Sequence, residues 1–295
     1  MVLNSLLKKN SKVVKKFFKK NNKLSMNNHS ENIIVSLTSF PERIDNLYKT
    51  IESLFNQSIR PNKIVLWLNK LQFAKIDLPK SLTEITKIGL EIKWVKKDFK
   101  SFNKLYYSLI EYPSDIIITV DDDQIYMKNL IKELIKAHKK YPDSIISTTL
   151  HEYITKNNQL LSYYDRRVNS QRSHPKIAQT PRYCHQLMGY AGVLYKKVFF
   201  NDEFFNYSSF TKLCHKNDDI WFWAMGVHNS TRTCSVKNSC YPINHYQKPS
   251  PNSLSQFNKD PNYQYNTGSQ FINVINTYPD IKKKMLDENL NINNI

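Results

Sequence analysis

Three adjacent carboxylates, Asp121-Asp122-Asp123, follow directly on an uninterrupted run of apolar and β-branched residues, Ile116 to Val120. Like charges this close repel one another, and a fold tolerates them most readily where a cation or solvent neutralises them. Carboxylate oxygens gathered at the end of a rigid strand suit a hard cation, Mg²⁺ or Mn²⁺, that completes its shell with substrate phosphates. The same residues also read as an exposed acidic turn capping a helix that begins near Met127. A second acidic pair, Asp218-Asp219, opens the apolar segment Ile220 to Met225. A helix apolar on every side is a buried one, and its first turn reaches the surface only where a site opens. Asp219 is therefore the candidate general base, with Asn217 and Asp218 as helix caps. The positive end of the helix dipole lowers the basicity of a carboxylate, so a useful rise has to come from desolvation as substrate binds.

Other chemistry-bearing residues are sparser. Of only five glycines, Gly189 and Gly192 fall together in Met188 to Tyr195, where glycine permits close approach of backbone to a ligand or makes a simple bulge. His245 follows Asp219 by 26 residues and reads as a metal ligand or as a structural histidine. Two of the four cysteines directly precede a histidine, as Cys184-His185 and Cys214-His215. Without a C-x-x-C pair, reduced thiols are the expectation ahead of a zinc site.

The elements that must position these residues alternate. Ile33 to Leu37 reads as a first strand, followed by a helical face of Ile44, Leu47, Tyr48, Ile51, Leu54 and Phe55. Ile64 to Leu68 is a second strand, Ser81-x-x-Glu84 a capping box, and Glu91 to Val95 a third strand. A helix with Leu105, Tyr106, Leu109 and Ile110 inward then leads into the strand Ile116 to Val120, and a last helix is expected near Gln270 to Thr277. The class is α/β, a mainly parallel sheet with helices on both faces. In such sheets ligands bind beyond the carboxyl ends of the strands, where the acid triplet lies.

Asp-x-Asp after an apolar strand, roughly 90 residues beyond a first strand that ends in a Ser/Thr-rich turn, resembles the GT-A glycosyltransferase fold, and glycosyltransferase family 2 in particular. The resemblance spans about residues 32 to 250 and implies transfer of a sugar from a nucleotide-diphosphate donor. By it, Asp121 and Asp123 are metal ligands, Asp121 and Asp122 face the nucleotide side, and His245 completes the coordination of Mn²⁺ or Mg²⁺. Val35 to Arg43 resembles the first nucleotide loop, with Thr38 and Ser39 offering hydroxyls and Arg43 reaching a phosphate; Thr38 and Ser39 also read as turn formers. Lys104 and Asp98 join the donor side, and Gly192 belongs to a loop lining the donor sugar. Asn217-Asp218-Asp219 resembles the second acidic motif of the family, with Asp218 in place of its usual first acid.

The chain has 295 residues, 40% of them apolar, enough for one catalytic domain with appendages. We divide it into a basic arm (1–30), a GT-A domain (31–285) and a tail (286–295). The formal charge of +18 raises nucleic acid, an anionic membrane or an acidic substrate. A lysine- and asparagine-rich, glycine-poor composition weakens the nucleic-acid reading, and none is expected as partner. Residues 1–24 carry eight lysines and no acid, and their apolar residues recur at helical spacing, as in a helix lying on an anionic bilayer or as in a solvated tail. No run approaches the roughly 18 apolar residues of a spanning helix, and no signal peptide is evident, so a cytoplasmic enzyme, peripheral on the inner face of the membrane, is expected. Tyr163, Tyr164, Arg166, Arg167, Arg172, Lys176 and Arg182 suit an acidic glycan or lipid-linked acceptor, or a solvated loop. The expected role is surface-polysaccharide (lipopolysaccharide or capsule) synthesis with inversion. The rivals are a metal-dependent nucleotidyltransferase and a non-enzymatic basic protein that binds membrane or nucleic acid.

Overall fold

A computed structural model describes residues 31–156, 159–161, 178–215, 217–238, 240–245 and 266–293. The basic arm and the stretch from Tyr163 to Lys176 lie outside them. Thirteen strands are present among the described residues. Seven of them, β1 (Ile33–Thr38), β2 (Lys63–Asn69), β3 (Leu90–Val95), β4 (Ile116–Thr119), β6 (Ser144–Ser147), β11 (Val193–Tyr195) and β12 (Arg232–Ser235), form one sheet in the order β12-β6-β11-β4-β1-β2-β3. The remainder pair two by two: β5 (Gln124–Ile125) with β13 (Asn244–His245), β7 (Leu150–Glu152) with β10 (His185–Leu187), and β8 (Thr155–Lys156) with β9 (Gln159–Leu160). In the large sheet β1 is parallel to β2 and β4, β2 to β3, and β6 to β12; β11 alone runs antiparallel, between β4 and β6. The expected α/β class with a mainly parallel sheet is what the chain forms.

Eight α-helices are described: α1 (Tyr48–Phe55), α2 (Lys80–Thr86), α3 (Asn103–Glu111), α4 (Leu130–Lys140), α5 (Tyr207–Leu213), α6 (Asp218–His228), α7 (Thr267–Thr277) and α8 (Pro279–Asn293). Strand alternation splits the core into two layers. Ile33, Val35 and Leu37 of β1 pack with Leu54, Leu82 and Leu134 of α1, α2 and α4 on one face. Ile34 packs with Leu105, Trp223 and Phe271 of α3, α6 and α7 on the other. Burial on both faces explains why β1, β2 and β4 are nearly continuous apolar runs. Helix α6 is enclosed all round, as its sequence requires, and its two indoles donate hydrogen bonds to the carbonyls of Phe204 and Tyr183 at 3.0 and 2.9 Å.

Three expectations about helices change. The helical face from Ile44 to Phe55 is broken into a 3₁₀ turn at Pro41–Asn46 and α1. The capping box does not form: Pro79 occupies the N-cap, so Ser81 is already inside α2 and buried. Proline's fixed φ starts the helix ahead of the serine. Beyond the expected last helix, α8 runs on through Asn293, and its Glu288 carboxylate accepts from the Tyr183 amide at 2.7 Å and from Arg232 at 2.7 Å.

Candidate active site

β4 delivers the triplet. After Thr119, paired with Ser36 of β1 on one side and Val193 of β11 on the other, the chain leaves the sheet's carboxyl edge at Val120 and enters Asp121. The three carboxylates then part company. Asp122 turns inward and is buried, its Oδ2 accepting from the Ser39 hydroxyl at 2.6 Å and its Oδ1 from Arg43 at 2.7 Å. Burial pushes its carboxyl up to about 6, against the pull of Arg43 and Ser39. Asp123 is also buried, 2.9 Å from the Arg43 guanidinium and bonded by the Gln124 amide at 3.0 Å. Asp121 keeps a third of its side chain exposed and meets a different cation.

That cation is Lys104, near the start of α3. Its side chain is buried, with Nζ 2.7 Å from Asp121 and 3.0 Å from Asp218. Burial alone would lower the ammonium, yet the carboxylates of Asp121, Asp218 and Asp219 hold it well above its ordinary range. Lys104 therefore ties the end of β4 to the first turn of α6. The Asn217 side chain accepts from the Ile220 amide at 3.1 Å and fixes where α6 begins, as a helix cap should.

Asp219 completes the cluster. Its Oδ1 accepts from the Gly189 amide at 3.0 Å. Burial first, then the neighbouring Asp218 charge, outweigh Lys104 and the Gly189 amide and push its carboxyl up to about 8. Desolvation thus raises this group in the protein itself, where the sequence reading placed that rise only in the substrate complex. A Cβ on Gly189 would lie 2.4 Å from that oxygen and 3.5 Å from the Lys104 ammonium, so only glycine admits the contact. Tyr126 braces the same edge: its hydroxyl accepts from the Asp121 amide and donates to the Tyr190 carbonyl, both at 2.8 Å.

The other sequence candidates fall on the same edge with different duties. Thr38 donates to the Trp67 carbonyl at 2.9 Å, Ser39 donates to Asp122, and Arg43 pairs with both Asp122 and Asp123. Asp98 holds its own turn, accepting from Asn103, the Lys100 amide and Gln72 at 2.9, 2.8 and 2.8 Å. Gly192 has φ +102°, and a Cβ there would meet Leu130 of α4 at 2.8 Å. Arg182 is bound to Glu152 at 2.6 Å. His245 pairs through its backbone with Gln124, next to Asp123, while its side chain lies outside the described residues. The sequence reading singled out Gly189 by the scarcity of glycine, without its contact to Asp219, and missed Tyr126 and the ion pair of Asp218.

No protein-family model and no curated protein matches this sequence. Solved structures do resemble it in shape. The mannosyltransferase PcManGT from Pyrobaculum calidifontis, in complex with GDP-Man and Mn²⁺, matches with a TM-score of 0.47 and 9% identity, over 87% of this chain and 68% of that one. S. aureus TarS 1–349 in complex with UDP-GlcNAc matches with a TM-score of 0.46 and 12% identity, over 76% and 60%. Its complex with UDP gives 0.42 and 12%, over 72% and 59%, so this chain spans less than two thirds of TarS 1–349.

Carboxylate oxygens from Asp121 and Asp123 at one strand end are a donor set that fits a hard divalent cation. Asp121 is its accessible member, and Arg43 presently neutralises Asp123.

Proposed function

We propose that this chain is a metal-dependent glycosyltransferase that moves a sugar from a nucleotide-diphosphate donor onto a hydroxyl of a glycan or lipid-linked acceptor, with inversion. One observation carries the reading: a carboxylate of raised pKa, Asp219, held by the Gly189 amide at the first turn of a buried helix, beside Asp218, which Lys104 ties to Asp121 of the acid triplet. A base that is protonated too weakly cannot take a hydroxyl proton near neutral pH, and Asp219 is tuned toward that range. In the step, the acceptor oxygen bonds to the anomeric carbon, its proton passes to Asp219, and the bond from that carbon to the diphosphate oxygen breaks. Asp121 and Asp123, with His245, would hold Mn²⁺ or Mg²⁺, which when bound offsets the charge of the departing nucleoside diphosphate. Lys104, paired with Asp121 and Asp218, keeps the end of β4 in register with the first turn of α6, and Thr38, at the end of β1, and Asp98, in the turn after β3, would border the nucleotide side.

Surface-polysaccharide synthesis in the cytoplasm, with residues 1–24 resting on an anionic membrane, belongs to the same proposal. Among the described residues no helix is long and apolar enough to cross a membrane. The test is a panel of nucleotide sugars with Mn²⁺, read by thermal stabilisation and by nucleoside diphosphate release, since a ligand of the folded state raises its melting point. Asp219→Asn is expected to lose transfer by a factor of about 10²–10⁴ while still being stabilised by donor. Loss of both responses together would make Asp219 a structural residue and remove the proposal's base.

A further inference from the structure

Well away in sequence from the triplet, the β7–β10 ladder gathers a nitrogen, a sulfur and an oxygen ligand. His185 pairs with Glu152 across that ladder, and Cys184 immediately precedes β10. One ligand atom from each of Glu152, Cys184 and His185 lies within 4.8 Å of the other two. His185 and Cys184 are fully buried.

The histidine is set up as metal ligands are. Its Nδ1 lies 3.0 Å from the Thr233 carbonyl, and a carbonyl only accepts, so Nδ1 carries the proton. In the neutral ring Nε2 is then the acceptor; among the described residues it makes no hydrogen bond, although the Thr180 carbonyl also faces the ring. A ring nitrogen fixed on a backbone carbonyl, with the other left as an acceptor, is the usual outer-shell arrangement of a coordinating histidine. A buried acceptor without a partner is otherwise unfavourable.

We propose that Glu152, Cys184 and His185 form a zinc site, separate from the donor-side cation and independent of the glycosyltransferase reading. The mixed donor set suits a borderline-soft ion of tetrahedral habit, with water as fourth ligand. Zinc ligands stand roughly 3.5 Å apart in a tetrahedron, so the three groups close by about 1 Å on binding. Arg182 donates to Glu152 Oε1 at 2.6 Å, and the Cys184 sulfur approaches the same oxygen, so the carboxylate is already oriented toward the thiol. The thiol at present donates weakly toward Glu152, at 3.9 Å; on binding, its proton leaves to solvent and the sulfur–zinc bond takes its place. Zn²⁺ with one thiolate and one carboxylate is formally neutral, so burial of the filled site is not opposed by a net charge. Because Cys184 follows Glu152 by 32 positions, the metal clips together both ends of the segment between them.

Cobalt titration of the metal-stripped full chain tests this. The expected result is one thiolate-ligated Co²⁺ per chain, counted from a thiolate-to-cobalt charge-transfer band that Zn²⁺ displaces, together with a rise in melting temperature of the unaltered protein on adding Zn²⁺. Cys184→Ser is expected to abolish the band and His185→Gln to weaken binding at least tenfold. Cys214→Ser and Asp123→Asn are expected to keep it, since the donor-side site has no sulfur. Absence of the band in the unaltered chain, or its survival in Cys184→Ser, overturns the site. Neither result touches the assignment of Asp219.

Discussion

Two acid clusters lie side by side at the carboxyl edge of the sheet, built partly from consecutive residues, yet they are finished differently. Around Arg43, the carboxylates of Asp122 and Asp123 are buried and tied to a guanidinium, a hydroxyl and an amide. Around Lys104, Asp121 remains a third exposed and Asp219 is held at a raised pKa by burial and by Asp218. The first cluster is tied on every side; the second keeps one carboxylate partly open to solvent and another at a raised pKa. Neighbouring acids in a sequence are therefore not one structural unit: beyond β4 the chain turns, and Asp121 meets Lys104 while Asp122 and Asp123 meet Arg43.

The contrast can be broken most forcefully at its centre. Lys104→Met leaves Asp121, Asp218 and Asp219 around a buried apolar group, and a loss of about 3–5 kcal/mol in urea unfolding is expected. A change below about 1 kcal/mol would show that the three acids do not depend on this cation. On the Arg43 side, Asp122→Asn is expected to cost about 1–3 kcal/mol of stability while kcat stays within about threefold of the unaltered chain. A fall in kcat as large as that of Asp219→Asn would erase the division between the clusters.

A finer measurement is the pH profile. Transfer needs Asp219 deprotonated and its pKa is raised, so kcat/KM is expected to climb about tenfold per pH unit on the acid side and to level off above the pKa. Asp218→Asn removes a charge that raises Asp219, so the rising limb moves to lower pH; an unmoved limb would assign the titration to another group. Smallest of all, Ser39→Ala removes a single hydrogen bond to Asp122, and about 1 kcal/mol of stability is expected to go with it in thermal unfolding, with donor affinity retained.

Much of this was readable in the chain before any coordinates. Ile116 to Val120 announces a central strand by apolar content alone, and Ile220 to Met225 announces a helix enclosed on all sides. What eluded the sequence is what depends on tertiary approach. Lys104 stood out by resemblance as a donor contact, but its pairing with Asp121 and Asp218 joins segments 17 and more than 100 positions apart, and no local pattern encodes that. Arg43 was read for its charge, and the buried acids that absorb that charge lie 79 positions on. Gly192 and Gly189 look alike in sequence; one is required by φ +102° and Leu130, the other by Asp219. Ser81 fitted a local capping rule that Pro79 pre-empted.

The reversed strand β11 has a consequence for how the protein can change. Six strands of the large sheet contribute their exits to the reaction edge, whereas β11 contributes its entrance, the turn from Gly189 to Gly192. Whatever precedes that turn is delivered straight to the chemistry. Under the proposed function, exchanges in that turn alter what meets the Asp219 carboxylate, while the parallel strands and their acids stay as they are.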